Sequence, residues 1–324
     1  MTGADYVVKR VAFALVTVFV AITLNFVLFR AIPGDAVQAL RCRNCTAAFK
    51  AELRHELGLD KSKWAQYGLY LQGLVRADLG KSLRSQKSVT SELAEPIRNT
   101  LPMVGLGAFF SVLFGLLSGV VSAWRRGTAV DRVGQWTGLA FYSMAPQWLG
   151  LLVVLWVAGA LGLPTSGVKD PTLGILADAS TWDVVIDRLR HMVLPALTLG
   201  LVLYGEYALI VRSAMLETLG EDYVLTARAK GLRNWPIVWK HALRNAMLPI
   251  ITLLAISLGF IIGGSITIEY VFSYPGIGLL TVESIDQRDF PVLQGVFLLL
   301  TLAVIAFNLI ADLLYFKLDQ RVTT

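Results

Sequence analysis

The sequence predicts an all-α membrane protein with six transmembrane helices and a long extracytoplasmic loop after the first helix. Of its 324 residues, 55% are hydrophobic and only 16% are charged, a composition poorly suited to a fully water-exposed surface. The hydrophobic residues come in long runs, and Lys and Arg gather in some of the segments between them. The lengths of these runs and this charge asymmetry predict the topology.

Each span follows from one uncharged or nearly uncharged run. Val11–Phe29 has nineteen residues without a charge, and at about 1.5 Å per residue it measures roughly 28 Å, close to the roughly 30 Å core of a bilayer. It is too long for the apolar part of a signal peptide, so we predict a permanent span. Five more runs follow: Leu101–Trp124, Trp136–Leu163, Met192–Val211, Ala246–Ile268 and Pro291–Phe316.

The distribution of basic residues predicts that both termini are cytoplasmic. With this orientation the cytoplasmic segments carry thirteen Lys and Arg residues, and the short outer loops carry four. Cytoplasmic loops of membrane proteins are enriched in these residues. Topology therefore explains the net charge of +6 without nucleic-acid binding. The predicted location is the cell (inner) membrane.

The spans divide the chain into three parts. Residues 1–30 form the N-terminal segment and first span, 31–100 an extracytoplasmic cap, and 101–324 a five-helix core with a cytoplasmic loop at 213–245. Within the cap, Trp64, Tyr67, Tyr70 and Leu74 recur at helical spacing, which predicts a folded helix.

The sequence offers no catalytic or metal site. Its three histidines lie outside the spans, so an intramembrane hydrolase has no base at membrane depth, and no histidine–carboxylate cluster predicts a metal ion. The GKS in DLGKSL has Val75 where a phosphate loop needs glycine. Cys42 and Cys45 form a CxxC in the outer loop, which fits a disulfide, two free thiols or half of a metal site shared with a partner.

Two carboxylates fall at membrane depth, where a charge is expensive and marks either a pathway or a pairing residue. For Glu206 both interpretations stay open. For Asp312, near the inner end of the last span, we predict a helix–helix hydrogen bond to Asn25, Asn308 or a tyrosine.

Small residues and prolines within the spans predict local packing features. Pro146 interrupts the third span, which fits either a helix that lines a path or an irregularity of packing. Gly259 and Gly263 form a small-xxx-small pair that predicts close helix packing.

A polar, basic segment, EDYVLTARAKGL, separates the fourth and fifth spans. As a helix, it places Tyr223, Ala227 and Lys230 toward one face and Leu225 and Arg228 toward another. Its small apolar side fits a groove on a protein better than burial in acyl chains. Gly231 permits a sharp reversal, and a second amphipathic helix, Pro236–Leu243, follows.

With KHALRNAMLP after it, this segment resembles the coupling loop of inner-membrane permeases of binding-protein-dependent ABC importers, in particular the peptide/nickel-type subfamily. FRAIPGDA, ADLGKSL, LPALTLG, FSYPGIGLLTVESIDQRDFPVLQG and NLIADLLYFKLDQRV resemble further landmarks of that subfamily, in the same order. Leu225 stands where the family more often has arginine.

The resemblance implies a type I importer fold and a non-catalytic permease subunit of a di- or oligopeptide importer. Its implied partners are a second permease, two cytoplasmic ATPases that bind ATP and Mg, and an extracytoplasmic solute-binding protein. The residues implied to dock on the ATPase are Tyr223, Thr226, Ala227, Lys230 and Gly231. Two alternatives remain: the same machine carrying nickel chelates or glutathione, and an ion-coupled secondary transporter that uses Glu206.

Overall fold

The computed structural model describes residues 3–31, 54–55, 60–172 and 180–318, without the side chains of 3–4, 234, 248–249, 252–262, 264 and 314–318. Throughout this part the chain is helical apart from turns and one bridge. The helices are α1 Gly3–Ala31, α2 Lys63–Val75, α3 Val89–Trp124, α4 Ala129–Ser143, α5 Pro146–Leu161, α6 Thr181–Leu219, α7 Asp222–Ala229, α8 Leu243–Val271, α9 Ile277–Gln287 and α10 Phe290–Leu318.

Four of these helices, α1, α3, α6 and α10, are long and apolar enough to cross a membrane. The pair α4 and α5 makes a fifth span if both halves belong to one crossing. Helix α8 has 29 residues, but many of its side chains lie outside the described part, so the count of six spans stays a prediction. Helix α3 begins at Val89, upstream of the apolar run that predicted it.

Helices α1 and α10, the first and last described helices, pack antiparallel. The start of α1 therefore lies beside the end of α10. Near one end the Asn25 side-chain amide donates to the Gln294 carbonyl at 3.3 Å. Near the other, Arg10 forms an ion pair with Asp312 at 3.0 Å. Asp312 thus has the predicted structural role, but its predicted partners were wrong, because the antiparallel packing places a basic side chain of α1 beside it.

The cap contributes a helix that packs on α1, as its aromatic spacing predicted. The hydroxyls of Tyr67 and Thr23 lie 2.7 Å apart, and the rings of Tyr67 and Tyr70 contact Phe26 at centroid distances of 5.1 and 5.6 Å. Trp64 does not join this contact and is 85% exposed. Residues 32–53 and 56–59 of the cap, with Cys42 and Cys45, lie outside the described residues.

Glycines allow the close approach of α3, α4 and α6. A Cβ added to Gly107 of α3 would lie 3.0 Å from the Ala196 carbonyl of α6, and one added to Gly200 would lie 3.2 Å from the Gly107 carbonyl. The predicted packing role of Gly263 was wrong within the described residues, because no atom lies within 4 Å of a Cβ added there. The surroundings of Gly259 lie outside this part.

The third span is sharply broken at the proline that its sequence contains. Helix α4 ends at Ser143, α5 begins at Pro146, and the two axes meet at 109°. Proline fits the first turn of a helix because its missing N–H has no intrahelical partner there. A later π-helical turn, Val153–Ala158, loosens α5 further.

Candidate functional site

The segment that the sequence singled out forms α7 and a tight reversal. Gly231 has φ +75°, its N–H donates to the Arg228 carbonyl at 2.9 Å, and the Leu232 N–H donates to the Ala227 carbonyl at 3.3 Å. These two bonds form a Schellman motif, in which glycine adopts the left-handed conformation without a Cβ clash. The predicted reversal at Gly231 is confirmed.

One face of α7 packs against the chain itself. Val224 and Ile237 are fully buried and Ala227 is 8% exposed, and the three form one cluster with Leu219 packed beside it. Ile237 belongs to a π-helical turn, Ile237–Ala242, that continues into α8. Burial of Val224 and Ile237 contributes about 1.5–3 kcal/mol each, which fixes α7 between the ends of α6 and α8.

The opposite side of α7 is open. Tyr223, Thr226, Lys230 and Gly231 are exposed, and so is Leu225, at 55%. Ala227 is buried although Tyr223 and Lys230, on the same side of the helix, are exposed, because Ala227 lies next to Val224 and Ile237 in the buried cluster. Four of the five residues implied to dock on an ATPase therefore lie on the accessible surface, and Ala227 anchors the helix.

Arg228 ties α7 to the end of α3. Its guanidinium carbon lies 5.8 Å from the centre of the Trp124 ring, within the range of a cation–π contact. Trp124 is the last residue of α3. Helix α7 is therefore in direct contact with the end of that helix.

A buried ion pair joins α4 to α6 near the same end. Arg212 Nε donates to Asp131 Oδ1 at 2.7 Å, and its Nη2 donates to Oδ2 at 2.9 Å. The same carboxylate accepts from the Gly127 N–H and the Gln135 amide. Such a two-pronged pair fixes both position and angle. This pair was not predicted; its local signal is an acidic residue in the first helical turn after Thr128.

A second buried carboxylate lies where the end of α8 meets α3 and α9. Glu269, at the end of α8, is fully buried and accepts four hydrogen bonds. Its donors are the hydroxyls of Thr100 and Ser265 and the N–H groups of Gly278 and Leu279 in the first turn of α9. A helix N-terminus favours such a negative group. The YPGIG sequence, Tyr274–Gly278, thus bends around Glu269, and a Cβ on Gly276 would collide with this carboxylate.

A third buried carboxylate occupies the loop that carries GKS. Asp289, just before α10, accepts from the Ser82 hydroxyl at 2.5 Å and from the N–H groups of Leu83 and Arg84 at 3.1 and 3.4 Å. The loop therefore does bind an anion, but the anion is a side chain of the same protein. Neither Glu269 nor Asp289 was predicted, because their partners are distant in sequence.

Glu206 differs from these three carboxylates. It lies in α6, is half-buried, and has no hydrogen-bond or ion-pair partner among the residues that the structure describes. The structure therefore shows no helix–helix hydrogen bond of Glu206 among the described residues.

The whole chain matches known transport proteins. The family model described as "Binding-protein-dependent transport system inner membrane component" matches residues 111–324, and its N-terminal companion matches residues 4–103. The di/tripeptide transport system permease protein DppB of Pseudomonas aeruginosa is 37% identical over 330 residues, with 98% of each chain covered. The dipeptide permease DppB of Escherichia coli K12 is also 37% identical, and the glutathione permease GsiC of Pectobacterium atrosepticum is 36% identical, each with 98% coverage of both chains.

Among solved structures, the MetNI methionine ABC transporter in an inward-facing conformation aligns with a TM-score of 0.56 at 19% identity, covering 71% of this chain and 98% of the other. This likeness shows the fold alone. With the family models and the full-length relatives, it identifies this chain as a multi-pass membrane protein that belongs to the family of binding-protein-dependent transport system inner membrane components.

Proposed function

We propose that this chain is a permease subunit of an ATP-driven importer of di- or oligopeptides, located in the cell (inner) membrane with both termini cytoplasmic. The observation that carries the proposal is 37% identity to dipeptide and di/tripeptide permeases over nearly the full length of both chains. The antiparallel packing of α1 and α10, with Arg10 beside Asp312, supports termini on a common side.

In this proposal a second permease subunit completes the translocation path, and an extracytoplasmic binding protein delivers the cargo. Two cytoplasmic ATPases bind ATP and Mg and hydrolyse the nucleotide, while this chain remains non-catalytic. The internal occupation of the GKS loop by Asp289 fits a chain that binds no nucleotide itself.

The exposed face of α7 is the surface proposed to dock on an ATPase. It presents Leu225 with the flanking Tyr223, Thr226 and Lys230, while its inner face and Arg228 connect it to α3, α6 and α8. An apolar side chain that is 55% exposed on a polar segment is suited to a hydrophobic groove. Closure of the ATPases would then push on three spans through one short helix.

Glutathione is a second candidate cargo, because glutathione permeases are 36% identical over the full chain. Nickel chelates remain the third expectation from the sequence. The ion-coupled carrier is less well supported, since the family matched over the full chain is binding-protein-dependent.

The proposal is tested by replacing Leu225 with glutamate. Because this places a charge at the centre of the docking face, the purified permease should lose its ATPases and its ATP-dependent peptide uptake. The matched control is Val130→Glu, an exposed apolar residue at the start of α4, which should retain both.

Normal ATPase retention and uptake in the Leu225→Glu variant would refute docking through this face. Mass spectrometry of the wild-type complex from native membranes should find ATPase subunits and a second permease. A chain that purifies alone and moves solute without ATP would refute the importer itself.

A further inference from the structure

Glu206 differs from the three buried carboxylates of the described residues, Asp131, Glu269 and Asp289. Asp131 and Glu269 each accept four hydrogen bonds and Asp289 accepts three. The Glu206 carboxylate accepts none from the described residues, although it lies within an apolar run. A carboxylate at membrane depth without a partner is costly, so its retention points to a partner from outside this part of the chain.

The position of Glu206 on α6 shows which side it faces. Val202, Glu206 and Leu209 are half-buried and Ser213 is exposed, and their spacing of three or four residues places them on one side of the helix. Across the helix, Tyr207, Val211 and Met215 are almost completely buried. Glu206 therefore lies on the side of α6 that this chain leaves least covered, roughly 9 Å along the helix from Arg212 at 1.5 Å per residue.

The end of α4, at the bend into α5, contacts α6 at the residue that precedes Glu206. A Cβ added to Gly205 would lie 2.6 Å from the backbone nitrogen of Tyr142, so α6 touches α4 one residue before Glu206 and one residue before α4 ends. Non-helical backbone at membrane depth is tolerated where it is buried in protein or lines a water-filled cavity. Ser143 and Ala145, at the break, are exposed, so the described residues of this chain do not bury the break.

One aromatic side chain lies at this contact: Tyr142, whose backbone nitrogen meets Gly205, is 58% exposed. The Tyr204–Phe141 ring pair, with centroids 5.9 Å apart, lies on the other side of α6 from Glu206, because helical residues two apart face in nearly opposite directions. Carboxylates and aromatic faces both attract organic cations, and carbonyl groups at an interrupted helix add acceptors. The chemistry of this region thus selects for an ammonium group.

We propose that Glu206, with the break between α4 and α5 beside it, forms a binding site on the translocation path for the ammonium group of the cargo. The proposal rests on the proposed function and adds a residue that recognises the free amino end shared by di- and oligopeptides and glutathione. An N-acylated peptide lacks this cation and would not be held there.

The site is tested by labelling with dicyclohexylcarbodiimide, which modifies carboxyl groups in apolar surroundings. The complete transporter in liposomes is labelled with or without dialanine or N-acetyl-dialanine, and the adduct at Glu206 is quantified by peptide mass spectrometry. Dialanine should reduce the adduct at least severalfold, and N-acetyl-dialanine should not. Equal labelling in all three conditions, or no labelling of Glu206 in any of them, would overturn the site.

Uptake provides the second readout. A hydrogen bond to a charged group is worth about 1.5–3 kcal/mol, which corresponds to a change of roughly tenfold or more. Glu206→Gln should lower dialanine uptake by about that factor, Glu206→Asp should retain part of it, and Glu217→Gln, the same change at an exposed position of α6, should have no effect. Normal uptake in Glu206→Gln would contradict the proposal.

The two proposals fail in different ways. If the wild-type complex takes up no peptide, the proposed cargo is wrong, while protection of Glu206 by dialanine still tests the ammonium site. If wild-type and Glu206→Gln complexes take up peptide equally, the importer stands and the ammonium site is refuted.

Discussion

Replacing Asp131 with asparagine should destabilise the helix bundle by about 3 kcal/mol, through the contact between α4 and α6. The side chains of Asp131 and Arg212 are 3% and 19% exposed, and they meet through two bonds of 2.7 and 2.9 Å. Breaking a buried pair from one side costs about 3–5 kcal/mol, because the remaining charge stays buried without its partner. We take the lower end, since Arg212 keeps some contact with water.

A double-mutant cycle measures this coupling. Asp131→Asn, Arg212→Met and the double variant would be compared by thermal unfolding of the purified complex, and the double variant should be clearly less destabilised than the sum of the single ones. The exposed pair His55–Asp60 of the cap, with side chains 78% and 46% exposed, serves as the control and should show a much smaller coupling. Effects at Asp131 and Arg212 that add to within about 0.5 kcal/mol would refute the argument.

Two further predictions concern Glu269 and Gly231. Glu269→Leu should cost about 3 kcal/mol of stability, because it leaves two N–H groups of α9 without an acceptor. Glu269→Gln should cost clearly less, because the amide carbonyl of glutamine can still accept from these N–H groups. Equal melting temperatures for the two variants would contradict this prediction. Gly231→Ala should cost about 1 kcal/mol of stability, because alanine is strained in the left-handed backbone conformation of this residue. It should lower uptake without releasing the ATPases, since no atom lies within 4 Å of the added Cβ. Uptake equal to wild type, measured at matched expression, would show that the reversal tolerates this strain.

Features that depend on neighbours in sequence were predictable. The spans follow from run length, the helix at Lys63–Val75 from aromatic spacing, and the reversal after α7 from Gly231. The helix break came with Pro146, although the sequence did not indicate its 109° angle. In each case the deciding interaction lies within one or two helical turns.

The polar centres could not be predicted, because their partners are far apart along the chain. Glu269 meets Thr100 across 169 residues and Asp289 meets Ser82 across 207. Nothing in the local sequence distinguishes these carboxylates from those of an ordinary outer loop. The burial of Ala227 was not predicted for the same reason, because it depends on contact with Ile237, which lies beyond the reversal at Gly231.

The placement of these centres gives the bundle two firm ends and a polar region between them. At one end of the bundle, Glu269 and Asp289 bind α3, α8, α9 and the start of α10 to one another; at the other end, Asp131 connects α4 to α6 close to α7. Between them lie the bend from α4 into α5 and Glu206, which has no partner among the described residues. The three buried carboxylates are satisfied by groups of this chain, so the proposed ammonium ligand accounts for the one half-buried carboxylate of α6 that the described residues leave without a partner.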